Sequence, residues 1–138
     1  MEILLYKLKD IENIKDICHI AKKFGIKVSM ILRENVNFDI FSLKDYGIEI
    51  YSSFDQYLSK NKDKRFLFFE TYGNKTIFDI DLRKFDIYVF GAEDYGIPIE
   101  EISKVKNEEI VKIPMKIPGS FNVASTFVIF LSFYKKLL

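Results

Sequence analysis

The chain has 138 residues, a formal net charge of +1, 49% hydrophobic and 30% charged residues, which is the make-up of one compact soluble domain over 1–138. A single cysteine, Cys18, and a single histidine, His19, supply neither a disulfide framework nor the ligand cluster of a zinc or iron–sulfur site, so no metal is expected. The near-neutral charge excludes a protein that wraps duplex DNA through a continuous basic face, while leaving room for a local basic patch.

The chain begins MEILLYKLKD, with an acid at Glu2 and no basic leader before the apolar run, so no secretory signal is read and a cytoplasmic protein is expected. Residues 2–8 have strand length. Ile11, Ile14, Ile17, Cys18, Ala21 and Phe24 then recur at spacings of three and four and stop at Gly25, predicting an amphipathic helix with a glycine cap. A strand follows over 27–32, a short helix over 39–46 ending at Gly47, a strand over 48–52 and a helix over 54–60. RFLFF (65–69) and DIYVF (86–90) are continuous apolar runs of the kind buried on both faces, and 109–113 is similar. Pro98 opens a short helix to residue 105, and a long helix is read over 122–136. The apolar stretch 121–134 is interrupted by Asn122, Ser125, Thr126 and Ser132 and is too short for the ~20 residues of a bilayer span. Phe127, Val128, Phe130, Leu131, Phe133 and Tyr134 make this helix apolar almost all round, so it is expected to be buried in part against a second copy of the chain. The 14 Phe and 8 Tyr are read as a codon bias and not as a base-stacking surface. Strands alternating with helices predict an α/β fold, a mostly parallel sheet with helices on both faces.

In such sheets ligands gather where loops leave the carboxyl ends of the strands. Three of those loops carry glycine: ETYG after RFLFF, GAEDYG after DIYVF, and PMKIPGSFN after EEIVKI. The first strand runs straight into KDIE without glycine, so a Rossmann nucleotide turn is missing and any cofactor is expected in the carboxyl-terminal half.

FGAEDYGIP (90–98) and IPMKIPGSFNVA (113–124) resemble the second and third motifs, F-G-x-E-x-x-G-L and I-P-M…S-L-N-V-S, of the SpoU/TrmH class of SPOUT RNA ribose methyltransferases. The first motif of that class, N-x-G-x-x-x-R-x-A-x-x-x-G, is similar to residues 13–25, where Asn13, Ala21, Phe24 and Gly25 fit, Lys15 replaces glycine and His19 replaces arginine. With no RNA-binding extension in sight, the chain is most similar to the small wobble-nucleotide tRNA methyltransferases, and FDIFSLKDY (38–46) is a weaker echo of that subgroup. The resemblance implies a C-terminal trefoil knot, S-adenosylmethionine as cofactor, an RNA substrate, tRNA first, and a homodimer in which both subunits build each active site. By the motif match, Phe69, Thr71, Gly91, Ile113 and Ser120 are expected to bind the cofactor.

Methylating a ribose hydroxyl requires an oriented oxygen and a base. Asn13 and His19, on the first helix, are read as projecting to roughly one side, Asn13 to orient hydroxyl or phosphate and neutral His19 to accept the proton. Glu93 is expected to brace the loops through main-chain N–H groups, and Ser120 and Asn122, natural caps of the last helix, to wall the active site. Lys15, Lys22, Lys23 and Arg33 are candidates for a phosphate-binding patch. Cys18 is assigned no chemistry. A second reading remains beside the enzyme: a non-catalytic RNA-binding relative that lost turnover with the arginine. A receiver-like domain fails, because the third strand ends in Tyr51-Ser52-Ser53 where an acid is required.

Overall fold

Among the described residues seven strands form one sheet, most of them from the apolar runs, and every pairing between them is parallel. The structure is a computed structural model that describes residues 1–116, 119 and 121–135. The strands are β1 (Glu2–Tyr6), β2 (Lys27–Ile31), β3 (Glu49–Tyr51), β4 (Arg65–Phe69), β5 (Lys75–Thr76), β6 (Ile87–Phe90) and β7 (Asn107–Lys112), in the spatial order β3-β2-β1-β6-β4-β7-β5. The helices are α1 (Ile11–Lys23), α2 (Ile40–Asp45), α3 (Phe54–Ser59), α4 (Ile99–Ile102) and α5 (Val123–Lys135).

The central strands are apolar throughout because both faces are covered, and the period of two sorts their side chains into two cores. Ile3, Leu5, Leu67, Phe69, Tyr88 and Phe90 pack with α1 and α5, whereas Leu4, Phe66, Phe68 and Val89 pack with Phe54, Tyr57 and Ile102 of α3 and α4. On α5 the buried residues are Val123, Phe127, Phe130 and Leu131, a single stripe at helical spacing. Fully buried Phe130 places its ring 4.7 Å from Tyr88, 5.2 Å from Phe69 and 5.8 Å from Phe90, centroid to centroid. Val128 and Phe133 fall off that stripe and stay exposed.

The carboxyl edge owes its shape to one feature of the topology. Val111 of β7 lies opposite both Phe69 of β4 and Lys75 of β5, so the short segment 70–74 carries the chain from one side of β7 to the other. Gly73 sits on the β7 backbone there: a Cβ would come 2.9 Å from the Val111 carbonyl carbon and 3.0 Å from the Ile110 oxygen.

Several expected boundaries move. The first strand ends at Tyr6, not residue 8, because Lys7 turns to φ 51°. The last two strands begin at Ile87 and Asn107, and only one helical turn, Ile99–Ile102, forms after Pro98. The last helix starts at Val123 with Asn122 as its cap, and Lys136 lies outside the described residues. Phe24, expected in the buried stripe of α1, is the C-cap and is exposed, since its backbone (φ −104°, ψ 7°) has left the helix. The two-residue β5 and a 3-10 turn over Leu82–Lys84 had no periodicity to betray them. Among the described residues no helix is long and apolar enough to cross a membrane.

Candidate active site

A cavity of about 440 Å³ opens at the carboxyl ends of β4, β6 and β7, walled by the three glycine-bearing loops. That volume suits a ligand of nucleoside size. Phe69, Thr71, Gly91, Glu93, Ile113 and Asn122 all line it. Ser120, expected in both roles, lies outside the described residues.

Glu93 ties the cavity to the start of α1. Its Oε1 accepts a hydrogen bond from the Lys9 amide (2.8 Å), and its Oε2 accepts from the Asp10 amide (3.0 Å) and from Asn13 Nδ2 (3.0 Å). Asn122 Nδ2 donates in turn to Asn13 Oδ1 at 3.0 Å, while Asn122 Oδ1 accepts from the Ala124 and Ser125 amides and caps α5. Residues from three distant stretches of chain thereby form one network, and nearly buried Asn13 is its centre.

His19 stands apart from that network. On an α-helix a separation of six residues turns a side chain by ~120° relative to its partner, so the expectation that Asn13 and His19 share a side does not hold. Asn13 faces inward with Ile17 and Ala21, whereas exposed His19 lines a separate surface groove with Asp16 and Ile20 of α1 and Ser125, Val128 and Ile129 of α5.

Gly91 also takes a different meaning. A Cβ at this position would run into Ile97 Cγ1 and stand 3.1 Å from Glu70 Oε1, so the glycine is demanded by packing within the loops. A ligand is not needed to explain it. Glu70, passed over in the sequence, is the partner that explains the contact: its Oε1 accepts the Ile97 amide at 2.5 Å, and the Tyr72 hydroxyl donates to the Ile97 carbonyl at 2.5 Å. Burial raises the Glu70 carboxyl above its ordinary range, opposed by the hydrogen bonds from the Ile97 and Thr71 amides. A lone Glu before a glycine-bearing loop gave no periodic or motif signal.

The suggested basic patch divides. Lys22 and Lys23 close α1 at the amino ends of the strands, while Arg33 follows the carboxyl end of β2, a strand length of roughly 17 Å away. Arg33 instead makes a bidentate pair with Asp94, at 2.9 Å and 2.7 Å, and its guanidinium carbon lies 4.9 Å from the Tyr95 ring centroid. That pairing holds the Asp94 carboxyl well below the usual carboxylate range. Lys15 lies 3.8 Å from Glu12. Cys18 is buried, which pushes its thiol up to about 12 and leaves it without thiolate character. Among the described residues no group of three or more His, Cys, Asp or Glu is placed to hold a metal ion.

The profile of the SpoU rRNA methylase family matches residues 1–132. The chain belongs to that family. Among solved structures, a candidate RNA methyltransferase from Bacillus anthracis is 26% identical, with a TM-score of 0.80 over 98% of this chain and 92% of that one. A structure concerned with 2-OH methylation of C/U34 on tRNA is 22% identical, with a TM-score of 0.82 over 98% and 93%. An AdoMet-bound rRNA methyltransferase from Sinorhizobium meliloti is 19% identical, with a TM-score of 0.77 over 99% of this chain and 56% of that one. The last two are likenesses of fold. The residues of the cavity fit the methyl donor the family resemblance implies. Phe69, Phe90 and Ile113 offer apolar side chains with main-chain groups beside them for an adenine.

Proposed function

We propose that this protein transfers a methyl group from S-adenosylmethionine to a ribose 2′-hydroxyl of a structured RNA, with tRNA as the first candidate, and that it works as a homodimer. The observation that carries the proposal is the cavity lined by residues 69–72, 90–96, 111–113 and 121–123 in a chain of the SpoU family. When bound, the donor supplies an electrophilic methyl group. The chain's part is to hold the ribose oxygen in line and to receive its proton.

Asn13, fixed between Glu93 and Asn122, orients the hydroxyl or its phosphate at the cavity edge. Glu93 is a positioning residue, since its two oxygens are occupied by the Lys9, Asp10 and Asn13 donors. The single chain brings no histidine to its own cavity, so the proton acceptor is His19 of a second copy, delivered across the α1–α5 groove. The exposed Val128 in that groove supports the homodimer, because an apolar residue between two helices gains by being covered. The crossing of β7 by 70–74 supports a C-terminal trefoil knot.

Methyl transfer from tritiated S-adenosylmethionine to bulk tRNA and rRNA tests the activity, and nucleoside mass spectrometry of tRNA from a strain lacking the protein locates the modified ribose. Loss of a 2′-O-methylated nucleoside in that strain is expected. An unchanged nucleoside profile together with no transfer to either RNA overturns the proposal and leaves the non-catalytic RNA-binding relative. Sedimentation as a monomer at micromolar concentration overturns the dimer.

A further inference from the structure

We propose that Tyr95 is a stacking platform for an unstacked nucleobase of the RNA, built at the mouth of the cavity and held rigid by Arg33 and Asp94. The inference rests on the RNA-methylating reading above and names how that site grips its substrate. Tyr95 lines the cavity and is 52% exposed, so its ring is open to a ligand at the mouth. One side of the ring is covered by the Arg33 guanidinium at 4.9 Å. The guanidinium is itself immobile: both its terminal nitrogens donate to Asp94, Nη1 also reaches the Lys7 carbonyl at 3.5 Å, and its side chain is only 18% exposed.

The charges choose between the two parts of a nucleotide. Asp94 neutralises Arg33, so the assembly offers little net attraction to a phosphate. What it presents to solvent is aromatic surface, backed by a cation and pre-ordered before anything binds. An enzyme reaching a ribose hydroxyl within a structured RNA works on loops or splayed nucleotides, whose bases are then free to stack on aromatic side chains. Tyr72 and Phe121 line the same cavity, but Tyr95 is the most exposed of the three rings and the one with a guanidinium over its face, which makes it the platform.

The chain contains no tryptophan, so Tyr95→Trp provides a single fluorescent reporter at the platform. Bulk tRNA from a strain lacking the protein serves as the probe. Its addition is expected to quench the Tyr95→Trp emission. Tyr95→Ala is expected to weaken tRNA binding by about 5- to 150-fold, the loss of one base stack, whereas Tyr95→Phe stays within about twofold. The dependence of binding on salt is expected to keep its slope in Tyr95→Ala, since no phosphate contact is removed. Calorimetric affinity for S-adenosylmethionine is expected to fall by less than the tRNA affinity. Unchanged tRNA affinity in Tyr95→Ala, or full emission from Tyr95→Trp with tRNA bound, overturns the platform while the methylation reading stands. A loss confined to S-adenosylmethionine affinity reassigns Tyr95 to the donor and overturns it equally. If the unaltered protein neither binds nor methylates any RNA, both proposals fall.

Discussion

One helix, α1, serves two regions of opposite character. At its amino end Asn13 bonds to Glu93 and Asn122 of the cavity wall, where Glu70 and Asp94 also have hydrogen-bond partners within the same chain. Further along, His19 stands in a shallow groove with an exposed valine and no polar network. Asn13 is buried, and a buried polar group demands local partners, so its pairing with Glu93 and Asn122 had to be completed by the fold that carries it. An apolar groove tolerates water until another surface covers it, and its completion can be left to association. In the proposed homodimer, the pre-built cavity and the unfinished groove divide binding from assembly along a few turns of helix.

Substitutions that hit one region and spare the other sharpen this contrast. The largest effect is expected from Phe130→Ala, which empties the core beneath both regions: a loss of about 3–5 kcal/mol in urea unfolding, with the cavity and groove failing together. His19→Ala is expected to leave urea stability within about 0.5 kcal/mol, because the side chain is exposed, yet to lower single-turnover methyl transfer by roughly 10²- to 10⁴-fold. Full activity in that variant removes the histidine from the chemistry and separates the groove from catalysis. Glu93→Ala works the other way. It strands the Asn13 amide, while the exposed Lys9 and Asp10 amides turn to water, at a cost of about 1–3 kcal/mol by thermal or urea unfolding, and it is expected to weaken donor binding while sedimentation stays unaltered.

The smallest effect separates two carboxylates inside the cavity by pH. Asp94 has a lowered folded pKa, so the stability of its pair with Arg33 is fully present above the ordinary aspartate range and is lost as pH falls through the folded value. The melting temperatures of the native protein and Asp94→Asn are therefore expected to differ near neutrality and to converge in strong acid. Glu70 has a raised folded pKa, so its contribution is fully present below the ordinary glutamate range and is lost as pH climbs through the raised value. Glu70→Gln is expected to flatten that part of the stability profile, and an unchanged profile shows that the burial of Glu70 carries no energetic weight.

The reading of the chain worked best where one physical cause acted alone. The apolar runs of β4 and β6 are legible because burial on both faces leaves no polar position, and α1 is legible because one buried stripe repeats every three to four residues. Gly91 was legible as a special position but not for its reason, since the atoms that forbid a Cβ belong to Ile97 and Glu70. Arg33 looked like a free cation because its acidic partner, Asp94, is 61 positions away.

By itself the sequence determined the parallel α/β architecture, the edge of the sheet that carries the site, and the family, through loops whose glycines, Glu93 and Asn122 sit at motif spacing. Those are properties of local pattern, set by periodicity and by the few residue types each turn accepts. Only the tertiary structure decided that Asn13 joins Glu93 to Asn122, that His19 turns away from them, and that β7 is inserted between β4 and β5. Each of these depends on which residues distant in the chain meet in space, and a side chain's partners across such distances leave no mark on the spacing around it.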